Sequence, residues 1–164
     1  SLYRNADALM LQHAATVALP YAQVNPFCFK DPIAPHIAAQ NEGRPLMLST
    51  ITAHITAVAD HIPHDLLLIE GVGGVMVPFN TTETQGDLMK ALGYPVILVV
   101  GLRLGCLNHA LLSMAALRAL GVTIKGWMSS ACDPCYTTTD QTLRTLCTFF
   151  NNIPYYEPAS FFCR

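Results

Sequence analysis

Short apolar runs along this chain alternate with stretches in which apolar side chains recur every three or four residues, and that alternation predicts the elements. Leu66-Leu67-Leu68-Ile69, four apolar residues between Asp65 and the glycine-rich Glu70-Gly71-Val72-Gly73-Gly74, reads as a strand covered on both faces, as in a parallel sheet. Pro95 to Gly101, rich in β-branched residues, reads as a second buried strand, Ile124 to Ser130 as a third, and a short fourth is expected at Ile153. Between them, Leu48, Ile51, Ile55, Val58 and Ile62 recur at helical spacing over Leu46 to about His61. Further helices are expected from Cys106 to Leu120, closed by Gly121, and from Thr139 to Phe150. Upstream, Asn5 is placed to cap a helix from Ala6 to about Val17 with Asp7 in its first turn. The proline-rich stretch Pro20 to Pro35 reads as an extended loop, before a short helix from His36 to Gln40 closed by Gly43. Strands alternating with helices predict an α/β fold, a parallel sheet with helices on both faces, in a single domain over residues 1–164.

A buried strand that ends in glycines delivers its last side chain to the crevice at the carboxyl edge of a sheet, where ligands bind in open α/β folds. Glu70 would stand there among backbone amides, and a carboxylate so placed suits Mg²⁺ beside a nucleotide phosphate. The local pattern leaves a solvated glutamate in a tight turn equally open. Asp7 by itself reads as a helix-start acid favourable to the helix dipole.

Composition narrows the classes. The chain is 52% hydrophobic and 12% charged, with a mean hydropathy of +0.36, which points to surface covered in an oligomer. Its longest apolar run is far below the ~20 residues that span a bilayer, so no membrane partner is expected. A net charge of −2 without a basic cluster gives no footprint for nucleic acid. Ser1 to Asn5 has neither an initiator Met nor a signal-peptide layout, so the chain is expected to begin within a longer protein. Six cysteines, Cys28, Cys106, Cys132, Cys135, Cys147 and Cys163, could suggest a disulfide framework, but three lie in segments that read as helix, strand end or helix start, as small buried hydrophobes do, and a reducing cytoplasm is expected. Cys132-Asp133-Pro134-Cys135 has the spacing of half a zinc site or of a redox pair. With no second Cys pair or paired His following, it reads as a turn. His54, His61 and His64 likewise read as surface or core histidines, not metal ligands.

Taken in order, Glu70-Gly71-Val72-Gly73-Gly74, Pro95 to Gly101, Leu104-Gly105-Cys106-Leu107-Asn108-His109-Ala110 and Gly126-Trp127 resemble dethiobiotin synthetase, the ATP-dependent enzyme of biotin biosynthesis. Arg4 to Ala8, Val24 to Phe27, Pro35 to Ile37 and Glu42 to Pro45 fit the same pattern, so the resemblance covers nearly the whole chain. It implies a P-loop-type sheet, a homodimer and a ligase that joins CO₂ to 7,8-diaminopelargonate. In that reaction the carbamate is phosphorylated by ATP, and the second amine closes the ureido ring with loss of phosphate. By resemblance, Asp7 and Glu70 would hold Mg²⁺ beside ATP. Gly71, Val72 and Gly73 would meet nucleotide and, at Gly73, substrate; Ser130, Ala131, Pro154, Tyr155 and Tyr156 would flank the base. Gly105, Cys106, Leu107 and Asn108 would receive the substrate carboxylate at a helix N-terminus, a ready anion site.

Four departures qualify the resemblance. No G-x-x-x-x-x-G-K-[ST] loop occurs in these 164 residues, and Lys30, Lys90 and Lys125 each lack the preceding glycine loop. The chain is therefore expected to lack the first strand, phosphate loop and first helix of the fold, with no catalytic lysine, and to be inactive by itself. Ser130-Ala131 stands where the family has an Asn-Asp pair reading adenine, which removes an amide able to make two hydrogen bonds to the base. Tyr155 replaces a Trp, and Glu157 is a poorly aligned substitute for an acid on the ribose. A degenerate homologue serving as a dimerisation or binding module, or another P-loop ATPase of the same branch, are the alternatives.

Overall fold

A computed structural model describes residues 3–158. Cys163 lies outside them. The chain divides into two compact units, Ser1–Gly73 with Val77–Leu88, and Gly74–Met76 with Met89–Arg164.

In the first unit, α1 (Ala6–Ala14) starts where expected, with the Asn5 side chain accepting the Ala8 N–H at 3.1 Å. The proline-rich stretch is not wholly extended. It holds a one-turn helix, α2 (Tyr21–Val24), whose Tyr21 hydroxyl accepts the Asn5 N–H at 2.7 Å. Pro35 occupies the first position of α3 (Pro35–Asn41), where its missing N–H costs nothing. The apolar stripe of α4 (Leu48–His61) is partly covered: Ile51 is buried, and Leu48, Ile55 and Val58 are half-buried. Met47 supplies no side-chain cap to α4, and Glu83, from far along the chain, accepts the Leu48 N–H at 2.9 Å instead.

The strand expected at Leu66 to Ile69 does not form. That stretch carries no ladder partner among the described residues, and Leu66 and Leu68 are 81% and 72% exposed. A strand is stabilised by its neighbours' hydrogen bonds and side chains, so four apolar residues without either stay irregular. Glu70 consequently sits in a loop and not at a strand end.

Helix α5 (Gln85–Leu92), which the apolar pattern did not predict, leads from the first unit into the second. It opens with a reciprocal cap: the Thr84 N–H donates to Asp87 Oδ2 at 2.8 Å, and the Asp87 N–H to Thr84 Oγ1 at 3.3 Å.

The second unit is the α/β part, a small parallel three-stranded sheet flanked by helices. Strand β1 (Val96–Leu102) pairs with β2 (Ile124–Ala131), and β2 with β3 (Tyr155–Tyr156), all parallel. The short last strand lies two residues beyond the expected Ile153. Helix α6 (Cys106–Ala119) joins β1 to β2, and α7 (Thr139–Phe150) joins β2 to β3. Their inward faces meet the sheet in one core of Val100, Cys106, Ala110, Met114, Trp127, Leu146 and Phe150. Trp127 is fully buried, edge-on to Phe150 at 5.1 Å and tilted against Tyr155 at 4.5 Å. A side chain at Gly126 would run into the Tyr156 ring and come within 2.9 Å of the Pro154 carbonyl, so only glycine lets β3 lie against β2. No helix among the described residues is long and apolar enough to cross a membrane.

Candidate functional site

The candidate residues fall into two groups, one in each unit. In the first unit Asp7 is exposed at a helix start that is tied down by the Asn5 and Tyr21 hydrogen bonds, with the Arg4 guanidinium 5.2 Å from the Tyr21 ring centre. Glu70 is exposed in the loop, followed by exposed Gly71, Val72 and Gly73. The shape of this turn has a cause that sequence reading missed. Gln85 is only 5% exposed, and its Oε1 accepts the Val72 N–H at 2.6 Å. Its amide lies so close under Gly71 that a Cβ there would meet it head-on, with Cδ only 2.7 Å away. Gly73 has φ +73°, a left-handed conformation that disfavours other residues. The Thr84-x-x-Asp87 capping pattern would have placed Gln85 on the first turn of a helix.

Neither carboxylate has a hydrogen-bond or ion-pair partner among the described residues, and no group of three His, Cys, Asp or Glu side chains there is placed to hold a metal. Nothing in the side-chain contacts joins Asp7 to Glu70. Each carboxylate is of the donor type that Mg²⁺ takes, one or two at a time beside waters and phosphate oxygens.

In the second unit the parallel register brings the candidate residues to one edge of the sheet. Gly101 pairs with Ser130 and Leu102 with Ala131, so the carboxyl ends of β1 and β2 lie side by side, and the chain leaving β1 turns directly into α6. Gly105 makes that turn at φ +88° as the N-cap. The Cys106 N–H is already taken by the Arg103 carbonyl at 3.0 Å, whereas the Leu107 and Asn108 amides have no backbone partner among the described residues. Leu107 and Asn108 are thus free donors at this helix start. Cys106 is buried and Leu107 packs against the core, while the Asn108 side chain is exposed.

Ser130 and Ala131 are exposed at the end of β2. The neighbouring Ser129 is buried instead, and its hydroxyl is 2.8 Å from that of Tyr155. Tyr155 is half-buried against Trp127, and Tyr156 covers Gly126 with its hydroxyl donating to the Lys125 carbonyl at 3.5 Å. Both tyrosines thus secure β3 to β2, three positions upstream of the sheet edge, with exposed Pro154 leading into them.

Three histidines of the first unit each face a backbone carbonyl: His54 that of Gln23 at 2.9 Å, His61 that of Ala57 at 2.8 Å and His64 that of Ile62 at 2.6 Å. Among the described cysteines, Cys28 and Cys106 are buried, and Cys132, Cys135 and Cys147 are exposed.

A family model described as an AAA domain, AAA_26, matches residues 1–154, nearly all of the chain. The chain belongs to the AAA_26 family, a P-loop nucleoside-triphosphatase family that uses ATP and Mg²⁺ and includes dethiobiotin synthetase.

Proposed function

We propose that this chain is a dethiobiotin-synthetase-like domain, built around binding 7,8-diaminopelargonate for ATP- and Mg²⁺-dependent carboxylation and ring closure. The observation that carries this reading is the glycine-led start of α6, where two unpartnered amides and the exposed Asn108 follow directly from the end of β1. A carboxylate set there would accept hydrogen bonds from the Leu107 and Asn108 amides at the positive end of a fourteen-residue helix. ATP, when bound with Mg²⁺, supplies the phosphoryl group that turns a carbamate oxygen into a leaving group. Asp7 and Glu70 would take two metal positions, and the Glu70–Gly73 turn, shaped by Gln85, would bring backbone close to the phosphates. The working form is proposed to be a homodimer in the cytoplasm, with the substrate carboxylate received at the interface.

These 164 residues contain neither a G-K-[ST] loop nor the Asn-Asp pair for adenine. That combination favours, for this polypeptide by itself, a module that binds substrate without turning over ATP. Titration calorimetry with diaminopelargonate, alongside a phosphate-release assay with ATP and Mg²⁺, tests both halves. Saturable binding of the diamine without ATP hydrolysis is expected. ATP hydrolysis without diamine binding would instead assign the chain to another ATPase of the same branch.

A further inference from the structure

The motif that the proposed function leaves unused is Cys132-Asp133-Pro134-Cys135, in the turn that leaves β2. Both thiols are exposed and free. The chain reverses there: the Tyr136 N–H donates to the Asp133 carbonyl at 3.1 Å, and the Cys135 N–H to Asp133 Oδ1 at 2.9 Å, with Pro134 between. Each end of the turn is also anchored. Cys132 Sγ lies against β1, where it would be 2.8 Å from a Cβ placed on Gly101. At the other end the Tyr136 hydroxyl is 2.5 Å from Thr142 Oγ1 on α7 and 3.7 Å from Cys106 Sγ on α6. No third His, Cys, Asp or Glu among the described residues completes a metal site here, so two thiols on one short, fixed turn are left with sulfur chemistry rather than zinc.

We infer that Cys132 and Cys135 form a reversible dithiol–disulfide site whose reactant is a small-molecule disulfide. One cysteine thiolate attacks the small disulfide, forming a mixed disulfide and releasing one small thiol. The second thiolate attacks the protein sulfur of that mixed disulfide, and the second small thiol leaves. Two protein thiols are oxidised to one disulfide, and the small disulfide is reduced to two thiols, with the two protons accompanying the electrons. Ring closure is favoured over a second external thiol because the attacking cysteine is held only three positions away on the same turn. Cys147, exposed on α7 and outside any such pair, serves as the internal comparison.

The test is exposure of the 164-residue protein to oxidised glutathione, followed by intact mass and non-reducing peptide mapping. The expected product joins Cys132 to Cys135 with loss of two hydrogen atoms, is restored by dithiothreitol, and coexists with a glutathione adduct on Cys147. Cys132→Ser and Cys135→Ser, conservative changes at exposed positions, should each replace the internal bond by an adduct on the remaining cysteine. Separate glutathione adducts on Cys132 and Cys135, bonds from either to any other cysteine or to a second chain, or an unmodified pair beside a modified Cys147, would each overturn the inference.

Discussion

Replacing Gly71 by alanine probes the device that shapes the Glu70 turn. The added Cβ would be driven into the Gln85 amide, with Cδ at 2.7 Å and Oε1 at 3.0 Å. Gln85 is buried and its Oε1 holds the Val72 N–H at 2.6 Å, so either the side chain is expelled or the loop moves. Either outcome forfeits that hydrogen bond and leaves a buried amide short of a partner, together about 2 kcal/mol. In urea, with a slope of about 1–3 kcal/mol/M for a small protein, the midpoint should fall by roughly 1 M. Since the loss is routed through Gln85, a double-mutant cycle isolates it. Gln85→Ala removes both the hydrogen bond and the obstacle, so Gly71→Ala added to it should cost under about 0.5 kcal/mol, a coupling of about 1.5 kcal/mol. Gly74, with nothing within 4 Å of a Cβ, is the control and should tolerate alanine within about 0.5 kcal/mol. Additive losses at Gly71 and Gln85, or equal losses at Gly71 and Gly74, would refute the reasoning.

Other consequences are checked in the same denaturation series. Gly126→Ala should lower stability by about 1–3 kcal/mol, because the Tyr156 ring and the Pro154 backbone would both have to retreat; an unchanged midpoint would contradict the packing of β3. Trp127→Ala should cost about 3–5 kcal/mol. Trp127→Phe should cost much less, since the buried Nε1 has no hydrogen-bond partner to lose; equal losses would mean that the indole N–H is in fact satisfied. Gly105→Ala places a side chain at φ +88° and should cost about 1–2 kcal/mol while weakening diamine binding through the displaced α6 start. Tight diamine binding in a destabilised Gly105→Ala would separate that turn from the ligand.

How legible these features were depends on where each segment finds its partners. Helices α6 and α7 and strands β1 and β2 carry their own periodicity and bury it in one core, so pattern and structure agree, whereas α4 has the periodicity and buries only Ile51 of its stripe. The Leu66–Ile69 run has the composition of a buried strand, but composition does not supply a neighbouring strand, and the exposed leucines show the result. Helix α5 was invisible to apolar periodicity because its start is polar, set by the exchange between Thr84 and Asp87, a capping signature readable in sequence. The candidate residues of α6 were identified by resemblance, and their placement follows from β1 running into Gly105. That the Cys106 amide is spent on Arg103 has no sequence signal. Tyr155 and Tyr156, expected by resemblance to flank a base, lie in the seam between β2 and β3, where the Gly126 gap and the Ser129 hydroxyl receive them, a packing role with no sequence signal.

The substrate assignment stands or falls with Asn108 and the start of α6. The most direct measurement is titration calorimetry of 7,8-diaminopelargonate into the parent protein and into Asn108→Ala, a change at an exposed side chain expected to leave stability within about 0.5 kcal/mol. The predicted result is saturable binding to the parent and an affinity at least about tenfold lower in the variant, the loss of roughly 1.4 kcal/mol expected when a hydrogen-bonding side chain is removed. Equal affinity in the two proteins, or no binding to the parent, would contradict it.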